Sequence, residues 1–88
     1  MTPLDKRELL APVSYERGTE LPSNQWDQLE EGHYVIVQRG ASAISVGEVE
    51  ERTRDASVFW VWLDGGRGRI AVYDDEATCV WLPKGYRL

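Results

Sequence analysis

The chain has one cysteine, one histidine and no long apolar run, and each shortage closes off a class of function. A lone Cys79 forms no internal disulfide and supplies no multi-cysteine metal site. Its neighbours Thr78 and Val80 suit a strand, where the thiol is expected to pack as a small, half-buried hydrophobe rather than act as a nucleophile. His33 has no convergent ligands at metal-site spacing and reads as a surface or rim residue. No stretch approaches the ~20 apolar residues of a membrane span. Residues 1–10 carry neither an apolar signal core nor a cleavage signature, so the cytoplasm is the expected location.

Positive charge is also scarce. Ten Lys and Arg stand against fifteen Asp and Glu, giving a net charge of −5 and a pI of about 4.8. The fold-wide positive field that phosphate backbones require is absent, and nucleic acid is disfavoured as a partner. Catalytic signatures are missing as well. There is no Gly-x-Ser-x-Gly, and the carboxylates lie outside the apolar surroundings that raise a pKa for acid–base work. Asp74-Asp75-Glu76 lacks the alternating spacing and distal Glu of a calcium loop. Gly65-Gly66-Arg67-Gly68-Arg69 is not followed by the Lys-Ser/Thr of a phosphate loop. No enzyme activity, cofactor or metal is therefore expected, and repeats and low-complexity segments are absent.

What is present is aromatic. Eighty-eight residues make one domain with a small core. Hydrophobic content of 42% and charged content of 28% are ordinary. Four Trp and four Tyr in so short a chain are not, and call for a packing or binding explanation. Residues 1–22, punctuated by Pro3, Pro12 and Pro22, read as an N-terminal arm, loosely ordered or laid on the surface through Leu9, Leu10, Val13 or Tyr15. A helical turn or two over residues 5–10 is too short to be stable alone. Residues 23–88 form the domain. Residues 23–29 suit a single helical turn capped by Ser23 or Asn24, with Trp26 and Leu29 on one face plugging the end of the domain.

Five strands are expected after Gly32, over residues 33–38, 44–53, 57–63, 68–73 and 78–82. Ile44 and Val46 share one parity and Val49 the other, which predicts a bulge at Gly47. The third and fourth strands make a hairpin around Gly65-Gly66. That turn sets Trp62 opposite Arg69, Val61 opposite Ile70, Trp60 opposite Ala71 and Phe59 opposite Val72. Phe59, Val61, Ile70 and Val72 form an unbroken apolar set and are assigned to the core. Trp60, Trp62, Arg69 and Tyr73 point the other way. Placing Val49 against Val61 sets Glu48 beside Trp62 and Glu50 beside Trp60. Together these predict an all-β, five-stranded, strongly bent antiparallel barrel.

Gly32, Val35, Val37, Gly40, Gly47 and Val49 stand where KOW and Tudor-type segments carry glycine before and after a Val-x-Val strand and a later Gly-x-Val. At the level of strand order, residues 29–82 resemble those families, and the resemblance implies an SH3-like barrel. His33 replaces the acidic residue usual in KOW segments, Ala41-Ser42-Ala43 is neutral where their loop is basic, and no Tudor cage residue carries over by motif. Only the fold is implied. The face of Trp60, Trp62, Arg69, Tyr73, Glu48 and Glu50 is thus read as the binding surface of a non-catalytic interaction module. Its partner is another protein or a second copy, and the arm is a competing cover for the same face. The alternatives are a small nucleic-acid-binding barrel using Arg67, Arg69 and a stacking aromatic, and an oligomeric enzyme with its site between subunits.

Overall fold

A computed structural model describes residues 16–88; the expected helical turn at 5–10 and the apolar residues Leu9, Leu10, Val13 and Tyr15 lie outside the described residues. Six strands form one antiparallel sheet: β1 (Arg17–Glu20), β2 (Tyr34–Arg39), β3 (Ser45–Arg52), β4 (Val58–Leu63), β5 (Arg69–Tyr73) and β6 (Thr78–Pro83). Their order across the sheet is β1-β6-β2-β3-β4-β5. The all-β expectation holds, but the count of five strands does not. The sixth, β1, comes from the end of the stretch assigned to the arm. Its Gly18 passes so close to β6 that an added Cβ would lie 2.8 Å from the Leu82 carbonyl oxygen, which lets two backbones pair where a side chain would keep them apart. The next residue after β1, Leu21, is buried and donates its amide to Val80 at 2.8 Å.

The 3₁₀ turn at Ser23–Gln28 ends the approach to the domain. Pro22, not Ser23 or Asn24, is its N-cap, and no side chain caps it. As the spacing predicts, Trp26 and Leu29 are both buried. The Trp26 ring meets Phe59 edge to face at 4.9 Å, and its indole N–H donates to the Leu21 carbonyl at 3.1 Å. The largest polar-tipped side chain of the interior is thereby satisfied, as burial of an indole demands. Val35, Val37, Val49, Ala56, Phe59, Val61, Leu63, Val72, Val80 and Leu82 complete the core, with Ile70 and Tyr86 packed against it half-buried.

Gly47 does not mark a bulge. The β2–β3 register runs unbroken through it, from Tyr34 opposite Glu48 to Val37 opposite Ser45. An added Cβ at Gly47 would lie 2.0 Å from the Trp62 carbonyl oxygen and 2.7 Å from a Val61 methyl. Glycine is there because β3 and β4 approach closely, the other reason for glycine inside a strand. The irregularity falls two residues later, between Val49 and Glu51. Ile44 and Val46 simply face outward, so no change of parity is needed before Val49.

Among the described residues no helix is long and apolar enough to cross a membrane. Gly47→Ala is expected to lower unfolding stability by at least ~1–3 kcal/mol, the range for overpacking. Denaturant titration checks this, and an unchanged midpoint would show that β3 and β4 can separate without loss.

Candidate functional site

The β4–β5 register is the one that the Gly-Gly turn predicts. Trp62 pairs with Arg69, Val61 with Ile70, Trp60 with Ala71 and Phe59 with Val72. The turn itself is a 3₁₀ segment, Asp64–Gly66, in which Gly65 and Gly66 take positive φ values of 74° and 69°. Because strand side chains alternate, this register fixes which face each residue occupies. Phe59, Val61 and Val72 are buried. Trp60 is half-buried and Arg69 exposed on the opposite face, where Trp62 is 41% exposed and Tyr73 55%.

On β3, Glu48 pairs with Trp62, as expected. Glu50 does not pair with Trp60. The bulge extrudes Glu50 from the ladder and Glu51 takes the position opposite Trp60. Both carboxylates nevertheless converge on one guanidinium. Arg69 Nε donates to Glu50 at 2.5 Å and Arg69 Nη2 to Glu51 at 3.0 Å. The same guanidinium lies 5.4 Å from the centre of the Trp60 ring. One Arg thus joins two carboxylates and an indole across three strands, a cation–π contact backed by an exposed ion-pair network.

Three features of this face escaped the sequence reading. Trp81 lies on it, paired with Ile36, and the Arg17 guanidinium sits 4.8 Å from its ring centre. The alternation of buried Val80 and Leu82 with half-buried Cys79 and Trp81 carries that signal in the sequence. Tyr34 and Ile36 are buried although they share the outward parity of Glu48 and Trp81. The Tyr34 hydroxyl donates to Asp64 beside the hairpin turn. Arg67, considered for phosphate contact, is exposed and donates to the Ser45 hydroxyl at 3.4 Å. His33 accepts the Glu30 amide at Nδ1 at 2.9 Å. No group of three or more His, Cys, Asp or Glu among the described residues is placed to hold a metal ion.

No family model matches the chain, and no curated protein or solved structure is significantly similar to it. Geometry alone therefore carries the site.

The sheet edges differ from the face. At β5, Leu63 donates to the Gly68 carbonyl and Asp74 to that of Ser57. Antiparallel alternation then turns the backbone polar groups of Arg69, Ala71 and Tyr73 away from β4. The Ala71 carbonyl accepts from the Arg39 guanidinium of β2, and that of Tyr73 accepts the Asp75 amide at 3.0 Å. At the other edge, β1 is four residues long and irregular in register against β6. Such capping and brevity are how edges are kept from recruiting further strands.

The β3–β4 connection that aligns this face is held by Asp55. Its carboxylate accepts from the Thr53 hydroxyl at 2.8 Å, and from the Ser57 hydroxyl at 2.8 Å and amide at 3.1 Å. These bonds support Ala56 at a φ of 59°, in the left-handed region. They hold the Asp55 carboxyl below its ordinary value of 3.8, the Thr53 bond first and the Ser57 bonds next. A bond from the Thr78 side chain is the main cause of a like depression at Asp75. A folded-state value below the unfolded one means stability that is complete above 3.8 and lost as pH falls through the folded value. Asp55→Asn is therefore expected to shrink the loss of melting temperature between about pH 6 and about pH 2.5; an unaltered acid dependence would assign the effect elsewhere.

Proposed function

We propose that this chain is a non-catalytic interaction module that binds protein through the outer face of β3, β4 and β5. The observation that carries the reading is the exposure of Trp62 and Tyr73 on the side opposite a closed core. Exposed aromatics gathered on one sheet face are characteristic of binding surfaces, where the indole's large apolar area gains most from desolvation. Trp62 stands on a central strand rather than at a fraying end, so its backbone is fixed by pairing on both sides. Arg69 braces the neighbouring indole and leaves Trp62 as the protruding anchor.

The reading also accounts for the edges. With the Ala71 and Tyr73 carbonyls taken and β1 short, strand addition is discouraged and recognition falls to side chains. Arg69 is paired with both Glu50 and Glu51, whose two negative charges outweigh its single positive one and disfavour a phosphate there. The six-stranded order contains β6-β2-β3-β4-β5, the sequence of neighbours that an SH3-like barrel of the KOW or Tudor type would have. We take that fold as the scaffold, with Arg39 reaching across to β5 in place of a closing ladder.

Trp62→Ala is expected to cost at most ~1 kcal/mol of stability, as for a largely surface side chain. Phe59→Ala in the core is expected to cost ~3–5 kcal/mol. In cross-linking from native extract, Trp62→Ala is expected to abolish adducts that Glu31→Ala on the exposed loop retains. Unfolding of Trp62→Ala comparable to that of Phe59→Ala would make Trp62 core and end the reading. Salt-sensitive binding of oligonucleotides at low ionic strength would replace it with nucleic-acid recognition.

A further inference from the structure

We infer that the partner of this face is a basic segment of another protein, an extended stretch in which a lysine or arginine has an apolar side chain two residues away on either side. The inference rests on the proposal that the face is a binding surface, and goes beyond it by giving the partner's chemistry.

The argument begins with the rungs of the sheet. On the outer face one rung holds Glu48, Trp62 and Arg69, the next Glu51, Trp60 and Ala71, and a third Val58 and Tyr73. The exposed aromatics, Trp62 and Tyr73, thus occupy the first and third rungs. Arg69 and Tyr73 are four residues apart on β5, so these rungs lie about 13 Å from each other. Between them Trp60 is half-buried beneath the Arg69 guanidinium.

The middle rung is also where charge is out of balance. Glu50 and Glu51 converge there on Arg69. Glu48 has a contact of its own and is left out of this count. Two carboxylates against one guanidinium leave a surplus of one negative charge. Glu51 is the accessible end of the cluster, its side chain 60% exposed. It accepts from Arg69 through Oε1 at 3.0 Å, and a carboxylate has room for several such bonds.

An occupant has to match this order of aromatic, anionic and aromatic ground. In an extended chain the side chains that point one way recur every second residue, about 7 Å apart. Three successive ones span the distance from Trp62 to Tyr73, the outer two on the aromatics and the middle one at Glu51. A lysine or arginine in the middle supplies the missing positive charge and lays its methylene stem along the apolar surface. An acidic side chain there would meet like charge, and a neutral apolar one would desolvate Glu51 without compensation. The net charge of −5 attracts the same partner at longer range. A segment lying on the face needs no free edge, in keeping with the blunted β5.

The test titrates the full chain with blocked heptapeptides and follows the indole N–H resonances, that of Trp62 being the one lost in Trp62→Ala. Gly-Leu-Ser-Lys-Ser-Leu-Gly is expected to move the Trp62 resonance saturably, with a Kd below about 5 mM. Replacing its lysine by glutamine is expected to weaken binding about three- to fivefold, the worth of one exposed ion pair. Moving the lysine by one residue turns it away from Glu51 and is expected to do the same. In the protein, Glu51→Gln is expected to remove the preference for lysine over glutamine while leaving the melting temperature within about 2 °C. Glu31→Gln, an equal change of charge on the exposed loop, is expected to keep that preference. Loss of the preference in both variants would mean attraction to net charge alone and overturns the inference. Equal binding of the peptides, or no movement of Trp62 up to about 5 mM, overturns it too. Cross-linked adducts from extract that then depend on Trp62 but not on Glu51 would mean a partner of other chemistry, with the preceding proposal intact; adducts independent of Trp62 would end both.

Discussion

The close approach of β3 to β4 at Gly47 is the constraint on which the remaining arrangement depends. With the Trp62 carbonyl where a Cβ would have to be, the two strands have one way to lie together. That contact sets Val49 against Val61 and Glu48 against Trp62. Since side chains alternate with a period of two, a slip of one residue would exchange the faces of a strand, placing indoles in the core and valines in water. One missing methyl thus fixes the hydrophobic interior and the aromatic exterior at once.

The bulge after Val49 answers a different demand. It releases Glu50 from the ladder while Glu51 takes the place beside Trp60. Two successive residues, which in a regular strand would point to opposite faces, both bind the Arg69 guanidinium. Bulges re-aim side chains in this manner. Here the result is an outward-facing cluster in which one cation touches two anions and an aromatic ring. Such exposed contacts add little stability, but they hold Arg69 and Trp60 in place beside the protruding Trp62. In the proposed interaction, side chains already held by these contacts would lose less entropy on association.

The inner and outer faces use their tryptophans in opposite ways. Trp26 has its ring against Phe59 and its N–H on a carbonyl, with every requirement met inside the domain. Trp81 and Trp60 each lie under a guanidinium, half-covered by a charged group that keeps its own contact with water. Trp62 alone of the four is exposed. This gradation is why the proposed binding surface is centred on Trp62.

Local signals determined much of this protein. The Gly-Gly turn and its flanking residues fix the hairpin register, because a tight turn leaves few ways to match strands. The spacing of Trp26 and Leu29 places them on one face of a single turn. Residues 58–63 are apolar throughout, so it is the register against Arg69, Ile70, Val72 and Tyr73 that separates core from surface. Tertiary structure decided what depends on contact between segments far apart in sequence. A glycine inside a strand signals either a bulge or a close approach, and only the Trp62 backbone across from Gly47 selects the second. The bulge at Glu50 leaves no compositional trace, because the residues that follow Val49, Glu50-Glu51-Arg52, are all charged and none marks a buried face. The strand at Arg17–Glu20 lacks apolar alternation, since all four residues are exposed. It exists because β6 offers an edge and Gly18 permits the approach. Local chemistry set the two faces of the hairpin, and long-range backbone proximity set what lies beside them.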